Sequence, residues 1–118
     1  MIYFLKRLKM RCIWSWQGTI VTWREEHSFR SWVWANLISG LAAFLLPLPT
    51  SERALILALG ILVLAAELIN TGIENAVDQI SLDEDPLAKK AKDAGSAGVA
   101  VTAIAAGVAW VVILVAML

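Results

Sequence analysis

Cysteine is nearly missing: Cys12 stands alone, so the chain cannot form an internal disulfide. Histidine is limited to His27, and one residue of each kind excludes a structural zinc site. The sequence also lacks a phosphate-binding lysine loop, a GxGxxG turn and a GxSxG elbow. There is no internal repeat and no low-complexity linker. Charge is absent from two long stretches, residues 31–51 and 94–118. The first thirty residues have neither the long apolar segment nor the small-residue cleavage site of a signal peptide, and are instead rich in Trp and basic side chains.

What is present is apolar. Hydrophobic residues make up 59% of the 118, and the mean hydropathy is +0.71, far above that of a soluble domain. The length suits a single domain over residues 1–118 and no second one. The pattern predicts an all-α membrane protein, with an interfacial amphipathic helix over 1–28 and three spans over 30–48, 51–80 and 90–118. Pro47 and Pro49 stop the first span and force the chain to exit. Trp32, Trp34 and Trp110 read as interface anchors. The small residues of AGSAGVAVTAIAAG, 94–107, together with Gly60, form faces that allow close helix approach.

Net charge is zero, but its distribution is uneven. Lys6, Arg7, Lys9, Arg11, Arg24 and Arg30 face only Glu25 and Glu26 in the N-terminal region, and Lys89, Lys90 and Lys92 follow the second predicted span. By the positive-inside rule the N-terminus and the 82–93 loop are cytoplasmic, with the Pro-rich turn and the C-terminus outside. Read as a helix, the N-terminal segment groups Leu5, Leu8, Cys12, Trp16, Ile20 and Trp23 on one side, with basic residues mostly opposite. That suits the surface of an anionic leaflet.

The chemistry is concentrated in AELINTGIENAVD, residues 66–78. Glu67, Asn70, Glu74 and Asp78 fall within an arc of about 80° on one helix face. Acids at membrane depth cost about 2.5–3.5 kcal/mol each on insertion scales and usually mark function. Hard divalent cations take such carboxylates and keep waters and phosphates in their shell. Glu74 is the natural ligand, joined by Glu26 if the surface helix lies across the stripe; spacing alone does not choose Glu26 over Glu25. Lys92 and Asp93 put a phosphate-pairing cation at similar depth. Carboxylates, a metal and a lysine, with no nucleophilic Ser or Cys pattern, point to phosphoryl transfer. Glu67, the deepest acid, suits a general base that takes a hydroxyl proton from a lipid. Asp83, Glu84 and Asp85, before Pro86, read on their own as a solvated turn.

These residues carry a resemblance. WSWQG (14–18), EEHSFR (25–30), ELINTGIENAVD (67–78) and PLAKKAKDAGSA (86–97) occur in an order and spacing similar to the small prokaryotic diacylglycerol kinase family, over nearly the whole chain. The resemblance implies a homotrimer of three spans per subunit plus a surface helix, in the bacterial inner membrane, with active sites shared between subunits. It implies an enzyme that phosphorylates diacylglycerol with ATP and Mg2+ (as MgATP), and no nucleic-acid partner. By position, Glu67 matches the catalytic base, Asn70 the amide near the lipid headgroup, and Glu26 and Glu74 the metal carboxylates. Lys92 and Asp93 match the nucleotide-side Lys-Asp pair, Trp14 an aromatic beside the adenine, and Asp83, Glu84 and Asp85 the loop over the nucleotide. Arg7, Asp78 and Ser96 fall near the lipid or at the end of the acidic stripe. Relatives often carry Glu where this chain has Trp32, Lys where it has Gln17 and Ala where it has Gly72.

Two other readings stay open on the sequence. An undecaprenol kinase would share the mechanism and change the acceptor, although the GSA run after Asp93 leans toward diacylglycerol. A non-enzymatic membrane oligomer would account for the small-residue faces, but not for the Lys92-Asp93 match or for Glu26.

Overall fold

In the computed structural model, which describes all 118 residues, the chain forms four α-helices and no strand: α1 Ile2–Glu25, α2 His27–Leu45, α3 Thr50–Ile80 and α4 Pro86–Ala116. The α1–α2 break contains no Gly or Pro. Glu26 alone is extended (φ −100°, ψ 112°), and Arg30 reaches back to hold the turn. Its Nη1 donates to the carbonyls of Trp23 (2.8 Å) and Arg24 (2.9 Å), which have no helical partner at the end of α1.

The other two connections use familiar devices. At the Pro47–Pro49 turn, Arg53 Nε donates to the Ala43 carbonyl at 2.8 Å and Nη2 to that of Leu48 at 3.2 Å. Its guanidinium lies 5.3 Å from the centre of the Phe44 ring. At the start of α4, Asp85 Oδ1 accepts from the backbone N–H groups of Leu87 (2.8 Å) and Ala88 (3.0 Å), with Pro86 in the first turn.

α3 is the central helix, packed along α4 on one side and α2 on the other, while α1 touches the rest only near its end. Two helices, α3 and α4, are long and apolar enough to cross a membrane. Each has 31 residues and so extends about 46 Å, beyond a hydrocarbon core of about 30 Å. Both are therefore longer than a crossing needs. α2 is shorter, at 19 residues, and of Asp, Glu, Lys and Arg holds only Arg30.

Only 13 of the 118 residues are buried in a single copy. Leu37, Ile61, Val101, Ile104 and Val111 are among many large apolar side chains left exposed, as suits a protein solvated by lipid or by its own copies. At the end near the Pro-rich turn, Ala43, Leu48, Ile56 and Ile113 form a buried cluster.

Trp110 differs from its predicted role as a surface anchor. It is half-buried against this cluster, and its indole N–H donates to Ser39 Oγ at 2.8 Å, which satisfies the donor where water is excluded. Trp34 is exposed, and Trp32 is half-buried. The small-residue faces are used at two points within the chain. A Cβ at Gly60 would fall 1.9 Å from Asn36 Oδ1, so Gly60 is what lets Asn36 lie against α3. The second is Gly95, whereas Gly98 and Gly107 face open space.

Candidate active site

Burial falls steadily along the acidic stripe of α3. Glu67 is 4% exposed and Asn70 9%, Glu74 is half-buried and Asp78 is exposed. The stripe thus runs from the helix packing outward to the interface, and two cavities lie end to end along it.

The inner cavity, of about 390 Å³ and open on one side, is bordered by the α1–α2 junction, α3 and α4. It brings together Glu26, Glu67, Asn70, Glu74 and Ser96, which are separated by up to seventy positions in sequence. Glu26 gets there through the extended kink it occupies, while its neighbour Glu25 stays exposed, which answers the ambiguity between the two. Ser28 Oγ donates to Glu67 Oε2 at 3.2 Å, and Asn70 Nδ2 donates to Glu74 Oε1 at 3.1 Å.

The lining holds the three carboxylates Glu26, Glu67 and Glu74 and no Lys, Arg or His. Such a space is electrostatically suited to a cation. The acids are not arranged to cage an ion unaided, since no group of three acidic, His or Cys side chains in the chain is placed to hold a metal. A magnesium ion here would take Glu26 and Glu74 as its protein ligands and complete its shell with waters and phosphate oxygens, a donor set of the hard oxygen type that ion prefers.

The outer cavity, of about 570 Å³, lies under the α3–α4 loop. Asp78, Asp83, Glu84, Asp85, Lys92 and Asp93 all line it. Lys92 and Asp93 do not pair with each other: Lys92 pairs with Asp78 across the helix interface, and Lys89 pairs with Asp93 one turn on. These pairs are partly exposed, so they hold geometry weakly and an incoming anion can exchange with the carboxylate. Asp85 Oδ1 is occupied by the first amides of α4, which leaves Asp83 and Glu84 as the free acids of the loop.

Trp14 lines a third space, a groove of about 650 Å³ between α1 and α3, facing Thr71, Gly72 and Asn75. Thr71 borders both this groove and the inner cavity. Arg7 is not brought to Ser96. It sits on the free portion of α1, its guanidinium 5.6 Å from the centre of the Tyr3 ring. His27 is exposed. Ser28 and Thr71 are polar lining residues that sequence reasoning missed, and Trp32, read there only as an interface anchor, also lines the inner cavity. Ser28 stood inside the EEHSFR run and Thr71 inside ELINTG, but neither carries charge or a distinctive spacing.

Comparison with known proteins identifies the family. A family profile described as prokaryotic diacylglycerol kinase matches residues 13–114. The chain is 41% identical over 110 residues to a diacylglycerol kinase of Pseudomonas aeruginosa, covering 93% of this chain and 89% of that one. It is 34% identical over 100 residues to the diacylglycerol kinase of Escherichia coli strain K12, covering 85% and 82%. A diacylglycerol kinase of Helicobacter pylori is 39% identical over 92 residues, covering 78% and 72%.

Proposed function

The chain belongs to the prokaryotic diacylglycerol kinase family, and from that premise we propose that it transfers the γ-phosphoryl group of ATP to the hydroxyl of diacylglycerol, giving phosphatidic acid at the cytoplasmic face of the inner membrane. It is a lipid kinase of the membrane, and family membership sets aside the reading as a non-enzymatic oligomer. One observation carries the site assignment: Glu26, Glu67, Asn70 and Glu74 line one cavity that contains no basic side chain.

In the proposed reaction the lipid hydroxyl oxygen attacks the γ-phosphorus. The bond from that phosphorus to the β–γ bridging oxygen breaks, and ADP leaves with the electron pair. The hydroxyl proton passes to Glu67. Ser28 holds one oxygen of that carboxylate, leaving Oε1 to receive the proton. Magnesium, held by Glu26 and Glu74, would neutralise phosphate charge. Asn70 fixes the orientation of Glu74, and Lys92 exchanges Asp78 for a phosphate oxygen when the nucleotide enters. Trp14 lies beside the adenine, Asp83 and Glu84 border the nucleotide, and Ser96 lies beside the lipid headgroup.

α2, α3 and α4 form the three spans, with α1 on the leaflet. The α1–α2 kink and the α3–α4 loop, both cytoplasmic by charge, adjoin the two acidic cavities. The unpartnered Gly98 and Gly107 and the exposed Val101, Ile104 and Val108 of α4 support a homotrimer packed through that helix.

Lys92→Met tests the nucleotide side. It is expected to raise the ATP concentration for half-maximal rate by roughly tenfold or more, a loss of about 1.4 kcal/mol, with less effect on maximal rate. Unchanged ATP dependence would remove Lys92 from the phosphates. Oligomers mixed from Glu74→Gln and Lys92→Met subunits test the shared sites. At ATP well below half-saturation, where Lys92→Met alone is slow, the mixture should exceed the activity of its Lys92→Met subunits if sites are composed from neighbouring subunits, and should only match it if each subunit is self-contained.

A further inference from the structure

Asn70 Oδ1 is a buried acceptor with no hydrogen-bond partner. The orientation of this amide is chemically forced. Its Nδ2 donates to Glu74 Oε1, and turned over it would set oxygen against carboxylate oxygen. Oδ1 therefore points at α4, where the residue it meets is Gly95. A Cβ built on residue 95 would lie 2.4 Å from Oδ1 and 3.4 Å from the amide carbon, with Ile73 Cδ1 at 3.5 Å closing the other side.

Neither helix formation nor backbone freedom explains a glycine there. Gly95 lies inside α4, where alanine is the better helix former, and no glycine of this chain has a positive φ. What glycine supplies at this position is the absence of a Cβ.

From this we propose that Gly95 is a positioning residue for phosphoryl transfer. Its missing side chain lets Asn70 lie flat against α4, and Asn70 in turn holds Glu74 turned into the inner cavity. Any larger residue pushes the amide off α4 and releases Glu74. This inference rests on the reading of Glu74 as a metal carboxylate, and it places a specific demand on the AKDAGSA motif: its glycine acts through Asn70.

The test uses the full chain in detergent micelles with manganese(II) and a non-hydrolysable ATP analogue. In Gly95→Ala, manganese affinity measured by electron paramagnetic resonance is expected to fall roughly tenfold, as when a partner orienting a ligand is lost. The half-saturating magnesium concentration for activity should rise in step. The side-chain amide nitrogen resonance of Asn70 should lose the displacement that its bond to Glu74 causes. In an Asn70→Ala background, adding Gly95→Ala should have no further effect, since the residue it crowds is gone. An unmoved Asn70 resonance, or equal losses from Gly95→Ala with and without Asn70, would overturn the positioning role. A wild-type chain that binds no manganese would overturn the metal assignment, while the Asn70 resonance would still decide the contact with Gly95.

Discussion

Glu74→Gln is expected to give a folded, membrane-inserted chain with no measurable phosphoryl transfer at any magnesium concentration. The substitution keeps volume and hydrogen bonding. Asn70 Nδ2 now donates at 3.1 Å to Oε1 of Glu74, and glutamine offers a carbonyl oxygen in its place. What is lost is one negative charge in a cavity whose electrostatics depend on its acids. A hard divalent cation shared between protein and phosphates binds poorly to a neutral amide, and positioning with charge neutralisation carries most of the barrier lowering in phosphoryl transfer. A loss of at least about a thousandfold, some 4 kcal/mol of transition-state stabilisation, is the expected scale. The check is a magnesium titration from micromolar to tens of millimolar alongside thermal unfolding. Near-normal turnover at high magnesium would show that Glu74 does not hold the metal.

Glu67→Gln should behave differently. Glu67 is the most buried acid of the stripe, 4% exposed, and its one protein partner is the Ser28 hydroxyl at 3.2 Å. Loss of a general base costs about a hundredfold to ten-thousandfold in rate. The expected result is a collapse in maximal rate of that order, with the ATP concentration for half-maximal rate changed by less than about twofold. Stability should hold or rise, since a neutral amide is cheaper to bury than a carboxylate and can still accept from Ser28. A variant that is less active and less stable in proportion would make Glu67 a structural residue.

The stripe on α3 was legible because it is a property of one helix. A regular period places Glu67, Asn70, Glu74 and Asp78 on one face whatever surrounds them, and the charge-free stretch 94–118 marks α4 by composition alone, whereas 31–51 falls mainly on α2, which is not among the two helices long and apolar enough to cross a membrane. What periodicity cannot reach is which residues meet across helices. The Lys92–Asp78 pair joins α4 to α3, and nothing in the AKD run shows that its lysine faces away from its own neighbouring aspartate. The kink at Glu26 has no Gly or Pro to announce it. It depends on Arg30 capping α1 from the next helix, and it decides that Glu26 rather than Glu25 enters the cavity.

Asp85 carries two readings. An Asp before Pro86 at the start of a helical pattern is a sequence-level cap signal, and the structure uses it that way, while the residue also borders the outer cavity where the resemblance puts it. Trp110 was misjudged because an aromatic near a span end fits a lipid anchor and a packed, hydrogen-bonded indole equally well. Only its contact with Ser39, far away in sequence, separates the two.

The central claim is that the acidic cavity beside α3 carries out phosphoryl transfer from ATP to diacylglycerol. The most direct measurement follows terminally labelled ATP with the purified full chain in lipid–detergent micelles containing diacylglycerol and undecaprenol together, with and without magnesium. Magnesium-dependent label in phosphatidic acid is the expected result. Label in undecaprenyl phosphate alone would contradict the acceptor while leaving the cavity its chemistry, and label in neither, from folded protein, would contradict the kinase reading itself.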